Sequence, residues 1–161
     1  MEAGQIDDAM VMVKSHLSER VDIIHDMLAY LARHMIEMNK ARQEETKGFL
    51  AHLAHQVSAD LDSLTGKTVL FNYLGDYQKG EEPAAFDAIL DVLRKNQRSL
   101  GVNVSTRAFQ EALEREYQAS LEKLLPLKAR LAETDRLIDQ IVYALYGLTE
   151  EEIAIVERSA I

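Results

Sequence analysis

Apolar residues recur every three or four positions along two long stretches, and this spacing constrains the fold more than any other feature. Such spacing places apolar side chains on one face of an α-helix, as in coiled coils. A helix formed by the first of these stretches would span on the order of 54 Å, so its apolar face needs an equally long partner. The first series consists of Ile6, Met10, Val13, Leu17, Val21, Ile24, Leu28, Leu31, Met35 and Met38.

The second series predicts another long helix, which contains a proline and has clear end signals. Pro126 removes one backbone hydrogen bond, so we expect a kink there and not an end. Gly147 is typical of a helix C-terminus, and Thr149 with Glu152 has the spacing of a capping box that opens a final helix. The members of the series are Phe109, Leu113, Tyr117, Leu121, Leu124, Leu131, Ile138, Ile141 and Leu145.

Between the two series the pattern is less regular. Arg42 and Glu45 occupy positions where apolar residues are due, so we predict a turn there, with one continuous helix as the alternative. The apolar run 69–74 fits either an extended segment or one helical turn, and residues 75–83 read as a loop. The sequence thus predicts helices at residues 6–40, 44–62, 84–96, 106–146 and 150–158.

These patterns predict an all-α fold. The expected architecture is an elongated helical bundle, with two long coiled-coil-like helices and shorter helices between and after them. The chain has two prolines, seven glycines and 47% apolar residues in 161 positions, as expected of a helical chain with a core. Its length suits one domain over residues 1–161.

Composition narrows the functional classes. With no cysteine, thiolate chemistry and Cys-ligated zinc are excluded, and a cytoplasmic location is the expectation. The most apolar stretch, residues 21–38, is interrupted by charged residues, so we expect no membrane span. The net charge of -9 opposes non-specific binding to nucleic acid, so any DNA contact must come from a local basic patch.

Two motifs resemble ligand sites but have simpler interpretations. The run Gly66-Lys67-Thr68 resembles the end of a phosphate-binding loop, but Leu61 stands where that loop needs a glycine, which favours a connecting turn. His52 and His55 have a spacing that can hold a metal, yet no third ligand lies nearby in sequence. We therefore predict no catalytic, cofactor or metal site.

Basic residues on both sides of the connection between the predicted helices 84–96 and 106–146, together with Lys67, are the candidates for phosphate contacts. Cations at a helix end often bind phosphate, although a solvated helix terminus would look the same. The candidate DNA contacts are Lys67, Arg94, Lys95, Arg98 and Arg107.

The last third of the chain resembles a known family. The segment 109–157, and above all its final run LIDQIVYALYGLTEEEIAIVE, is similar to the C-terminal end of adenine-specific DNA methyltransferases of bacterial restriction-modification systems. That group includes type IIG enzymes and relatives in phage defence. The upstream pieces FLAHL, LTGKT and LRKNQRSLG match in the same order, so the resemblance covers residues 49–157. His52 departs from it, since an aromatic residue is expected there.

The resemblance implies a helical spacer without the active site. Family members carry an Asn-Pro-Pro-Tyr-type catalytic motif upstream, whereas neither Pro83 nor Pro126 follows an asparagine or adjoins another proline. We therefore expect a non-catalytic spacer or interaction module that positions or assembles DNA-recognition and catalytic parts. We expect it to associate with itself or with a methyltransferase or restriction partner, touching DNA through that partner. The alternatives are an acidic accessory or regulatory subunit of a phage-defence complex and a weak DNA-binding helical module.

Overall fold

The computed structural model describes residues 21–159, and the predicted helix segment 6–20 lies outside them. All regular structure in the described residues is helical, which confirms the all-α prediction. Across these residues no helix is long and apolar enough to cross a membrane. The α-helices are α1 (Val21–Val57), α2 (Lys67–Phe71), α3 (Phe86–Lys95), α4 (Arg107–Tyr146) and α5 (Glu150–Ser159), with 3-10 turns at Leu61–Ser63 and Gln97–Ser99.

Helix α1 runs unbroken through residues 40–44, so the predicted turn is wrong and the alternative of one continuous helix is correct. The two polar residues that interrupt the apolar series have partners of their own. The Arg42 guanidinium lies 5.6 Å from the centre of the Tyr77 ring. The Glu45 carboxylate pairs with Lys123 on α4 at 3.0 Å. The apolar seam lapses there because these positions face polar and aromatic groups, not because the helix ends.

Helix α1 ends at Val57, earlier than the predicted boundary at 62. Ser58 adopts a left-handed conformation with φ 51, and the amide of Ala59 donates back to the carbonyl of Ala54 at 3.2 Å. This pattern closes a helix C-terminus and is usually formed by glycine. The chain then forms a 3-10 turn. The sequence allowed either an extended segment or one helical turn at 69–74, and the first part of this run lies in the short helix α2.

The later boundaries agree with the sequence. Helix α4 continues through Pro126 and ends before Gly147, as predicted, and the φ of 63 at Gly147 is left-handed. The predicted capping box is present, because the Thr149 amide donates to the Glu152 carboxylate at 2.8 Å and the Glu152 amide donates to the Thr149 hydroxyl at 3.3 Å. The kink at Pro126 stays a prediction.

Contacts divide the chain into two compact units, each containing parts of the two long helices. Of the described residues, unit 1 has 21–39 and 129–159, and unit 2 has 40–128. The single domain inferred from length stays a prediction. In unit 1, α1 and α4 pack together through Ile24, Leu31, Leu137 and Ile141.

Unit 2 has the more extensive buried core. Phe49 on α1 packs against Tyr117 on α4, with ring centres 6.2 Å apart, and Glu45 pairs with the later residue Lys123. The two helices therefore run antiparallel in this unit. The remaining core residues come from α1, α2, α3, α4 and the connecting turns: Leu53, Val57, Leu61, Leu64, Leu70, Tyr73, Leu74, Ile89, Leu90, Val92, Leu93, Val104, Leu113, Leu121 and Leu124.

Candidate functional site

The Asn96 side chain joins the turn before α2 to the end of α3. This contact brings three of the candidate DNA-contacting residues, Lys67, Arg94 and Lys95, into one region. The Asn96 carbonyl oxygen accepts a hydrogen bond from the Thr65 amide at 2.9 Å, and its amide group donates to the Thr65 carbonyl at 2.9 Å. Lys67, two residues after Thr65, therefore lies beside the C-terminal end of α3, which carries Arg94 and Lys95.

The loop that follows α3 is fixed in a similar way. The Gln97 side chain donates to the Val102 carbonyl at 2.6 Å and accepts from the Val104 amide at 3.0 Å. The Gly101 amide donates to the Val57 carbonyl at the end of α1, at 2.8 Å. The loop thus leads from Arg98 to the first residue of α4 along a defined path. We call Lys67, Arg94, Lys95, Arg98 and Arg107 the basic end of unit 2.

Carboxylates neutralise much of the basic end. Lys67 pairs with Asp62 at 3.1 Å, Arg94 with Asp91 at 3.3 Å, and Arg107 with Glu111 at 2.6 Å. Within residues 21–159, no carboxylate partner is found for the two remaining cations, Lys95 and Arg98. All five side chains are exposed, so these ion pairs are weak and can exchange for other anions.

The two weaker sequence motifs keep their simpler interpretation. Gly66 is left-handed with φ 83 and begins a helix of five residues, while the Lys67 ammonium also donates to the Asp62 carbonyl at 2.8 Å. His52 and His55 are exposed on α1, and the His52 ring contacts the Gln56 amide at 2.9 Å. Among the described residues no group of three or more His, Asp or Glu side chains could hold a metal ion.

The polar groups inside unit 2 hold the scaffold together. The Tyr73 hydroxyl is hydrogen-bonded at 2.7 Å to the hydroxyl of Ser120, which lies on α4, and both residues are buried. The Tyr117 hydroxyl donates to the Ala84 carbonyl. Burial raises the pKa of both tyrosines above the ordinary value, so each phenol stays protonated and serves as a structural hydrogen-bonding group.

A second set of bonds fixes the loop at 75–83. The Lys128 ammonium donates to the carbonyls of Leu74, at 2.7 Å, and Glu81. The Glu81 carboxylate accepts from the Asp76 amide at 3.0 Å and from the Asn72 side chain at 3.2 Å, and these bonds lower the pKa of Glu81. A loop tied at several points gives the neighbouring surface a defined shape.

That neighbouring surface contains a groove that the sequence does not reveal. The groove encloses about 410 Å³. One wall is α1, and the other is the end of α2 with the turn that follows it. Its apolar lining includes Phe71, which keeps 41% of its surface exposed. The apolar run 69–74 is the one sequence signal near it, since the structure leaves Phe71 of that run exposed, but the spacing does not show which residues of α1 face it. The lining is Arg42, Gln43, Thr46, Lys47, Leu50, Phe71, Asn72, Leu74 and Gly75, called the groove below.

In unit 1, α5 lies near an acidic part of α4. Burial raises the pKa of Asp139, and the charges of Asp135 and of Glu157 on α5 add to the effect. The pKa of Tyr143 is also raised, by burial and then by Asp139 and Glu157. No residue of α5 among those described is buried. The contact between these helices therefore has little apolar burial and unfavourable charge.

These features define an all-helical protein in which segments of two long helices pack together and short helices and tied loops complete the larger unit. The chain belongs to the family described as a domain of unknown function, DUF8810, whose model matches residues 22–142. The match covers α1 from its second residue, α2, α3 and α4 as far as Val142. No curated protein and no solved structure matches the chain.

Proposed function

We propose that the chain is a non-catalytic helical interaction module of a DNA restriction-modification system, which positions or assembles its DNA-recognition and catalytic parts. The observation that carries the docking role is the groove, an apolar surface with basic rims on a unit whose loops are tied by hydrogen bonds. An exposed apolar surface of this kind is typical of a protein interaction site. The link to adenine-specific methyltransferases rests on the resemblance of residues 49–157.

We also propose the finer architecture. Ile24 and Leu31, one heptad apart on α1, pack with Leu137 and Ile141 on α4 in unit 1, which supports coiled-coil-like pairing there. The elongated bundle stays a prediction that small-angle X-ray scattering would test. We further propose a cytoplasmic location and, as the alternative role, an acidic accessory or regulatory subunit of a phage-defence complex.

The test is copurification from the native host. Tagged chain should enrich an adenine-specific DNA methyltransferase or its restriction partner, identified by mass spectrometry against a tag-only control. A thermal shift assay with S-adenosylmethionine should be flat for the isolated chain. The proposal fails if no such enzyme is enriched, or if the isolated chain binds the methyl donor.

Weak DNA binding is the second candidate, and the basic end favours it. Lys67 and the cations of α3 lie in one region, but three of the five cations already have carboxylate partners. If this function holds, a gel shift at low salt should be lost on Arg94→Ala or Arg98→Ala and should weaken steeply with salt. The absence of any shift at low salt would end this candidate.

A further inference from the structure

The groove selects for a particular kind of segment. Leu50, Phe71 and Leu74 supply apolar surface, and the charged residues of the lining, Arg42 and Lys47, are both basic. This is a local reversal in a chain with a net charge of -9. Its volume of about 410 Å³ falls in the range of binding pockets, about 300–1,000 Å³. The groove therefore suits an apolar segment that carries carboxylates.

Helix α5 has this chemistry. It contains four glutamates against one arginine, and its exposed Ile155 and Val156 keep 61% and 43% of their surfaces accessible. At 100° per residue these two side chains share a face with Glu152, and Glu151 borders that face. Ile153 lies beside Val156 at the edge of this face and is half-buried. Two aliphatic side chains flanked by carboxylates thus form the outer face of α5.

We propose that the groove of one copy of this chain receives α5 of a second copy. Ile155 and Val156 would enter between Leu50 and Phe71, and the glutamates beside them would face Arg42 and Lys47. The inference rests on the docking role proposed for the groove and names its occupant. Both surfaces are exposed within a single chain, and their charges are opposite, so association covers apolar area and pairs charges in one step.

The decisive experiment is complementation between two defective variants of the full chain, measured by size-exclusion chromatography with light scattering. Lys47→Glu reverses one of the two basic charges of the groove and so cancels its positive charge. The double change Ile155→Ser with Val156→Ser removes the apolar pair of α5. Each variant alone should self-associate with a dissociation constant raised by roughly tenfold or more, because the double change removes two buried aliphatic side chains and Lys47→Glu turns one charge attraction into a repulsion. Mixed in equal amounts, they should associate again, because one has an intact α5 and the other an intact groove.

The matched control is Ile36→Ser, which changes an isoleucine that is 68% exposed and lies outside both surfaces. Its self-association should equal that of the unmodified chain. A second groove variant, Phe71→Ser, should behave like Lys47→Glu, and circular dichroism should show that all variants keep their helix content. A charge exchange, Lys47→Glu with Glu151→Lys, should recover part of the lost association.

Three results would overturn the inference: a strictly monomeric unmodified chain, groove variants that associate like the unmodified chain, or a mixture that shows no gain. If one of these is found while the chain still copurifies with a methyltransferase, the groove binds another partner and the proposed function stands. If the complementation succeeds and copurification fails, the groove contact is homotypic and the restriction-modification assignment is the part that fails.

Discussion

The buried hydrogen bond between Tyr73 and Ser120 should contribute measurably to the stability of unit 2. The two oxygens lie 2.7 Å apart, Tyr73 has 0% of its surface exposed and Ser120 has 2%. Tyr73→Phe leaves the serine hydroxyl buried without this partner, which should cost about 1–3 kcal/mol. Ser120→Ala should cost a similar amount, because it leaves the Tyr73 hydroxyl buried without this partner.

The informative variant carries both changes. Once both hydroxyls are absent, neither leaves the other unpaired, so the double variant should lose little more than the more costly single one. We expect a coupling free energy of about 1–2 kcal/mol between the two positions. Equilibrium urea unfolding followed by far-ultraviolet circular dichroism is the assay, since the chain has no tryptophan to report by fluorescence.

A control and a refuting result complete the design. Tyr30→Phe removes the hydroxyl of a tyrosine that is 60% exposed, and should change the free energy of unfolding by less than about 0.5 kcal/mol. If the two single changes at positions 73 and 120 add within about 0.5 kcal/mol, the hydrogen bond is not an energetic unit and this account of the core is wrong.

Three further changes test local features. Gly75→Ala should lower the free energy of unfolding, measured by urea titration, by about 2 kcal/mol or more, because φ is +73 and a Cβ would lie 2.7 Å from a backbone oxygen. The control Gly80→Ala has open space around it and should cost only about 1–2 kcal/mol. Thr134→Val should stabilise unit 1 by about 1 kcal/mol, since the buried hydroxyl has no hydrogen-bond partner among the described residues; a loss of thermal stability would contradict this. Asp139→Asn should raise the thermal midpoint at neutral pH. The pKa of Asp139 is raised in the folded chain, so its ionised form destabilises the fold: stability that is present below the unfolded-state pKa is lost as the pH rises through the folded-state pKa. An unchanged midpoint in both acid and neutral buffer would refute the charge repulsion from Glu157.

Sequence periodicity and local end signals were sufficient to predict the second long helix and the final helix with their ends. The 3.6-residue repeat reports which face is buried, and Gly147 and the Thr149–Glu152 pair mark local backbone geometry. These signals are local, so they can be read from the sequence without knowledge of tertiary contacts. The helix 106–146 and the helix 150–158 differ from the observed bounds by one residue at most.

The errors arose where distant residues decide the outcome. Arg42 and Glu45 read as a break in α1, but Tyr77 and Lys123 satisfy them, and neither partner can be identified from spacing along α1. The groove was missed for the same reason, since it combines side chains of α1 with a segment some thirty residues later. The basic end was found as a set of charges, yet its pairing with Asp62, Asp91 and Glu111 emerged only from the structure.

The two units differ in what holds them, and this difference bears on how the proposed contact would form. In unit 2 the groove is lined by residues of a well-packed core and of a tied loop, so its shape exists before anything binds and the ordering cost on that side is small. In unit 1, α5 buries none of its described residues, and Glu157 approaches the carboxylates of α4 closely enough to raise the pKa of Asp139. A helix held so weakly by its own chain gives up little when it meets a surface of opposite charge. The docking face of α5, with Ile155 and Val156, is already exposed, so docking does not require α5 to leave α4. Asp139→Asn removes one repulsive charge behind that face and should therefore leave self-association at neutral pH equal to that of the unmodified chain. Clearly weaker association of Asp139→Asn would show that α5 must separate from α4 before it docks.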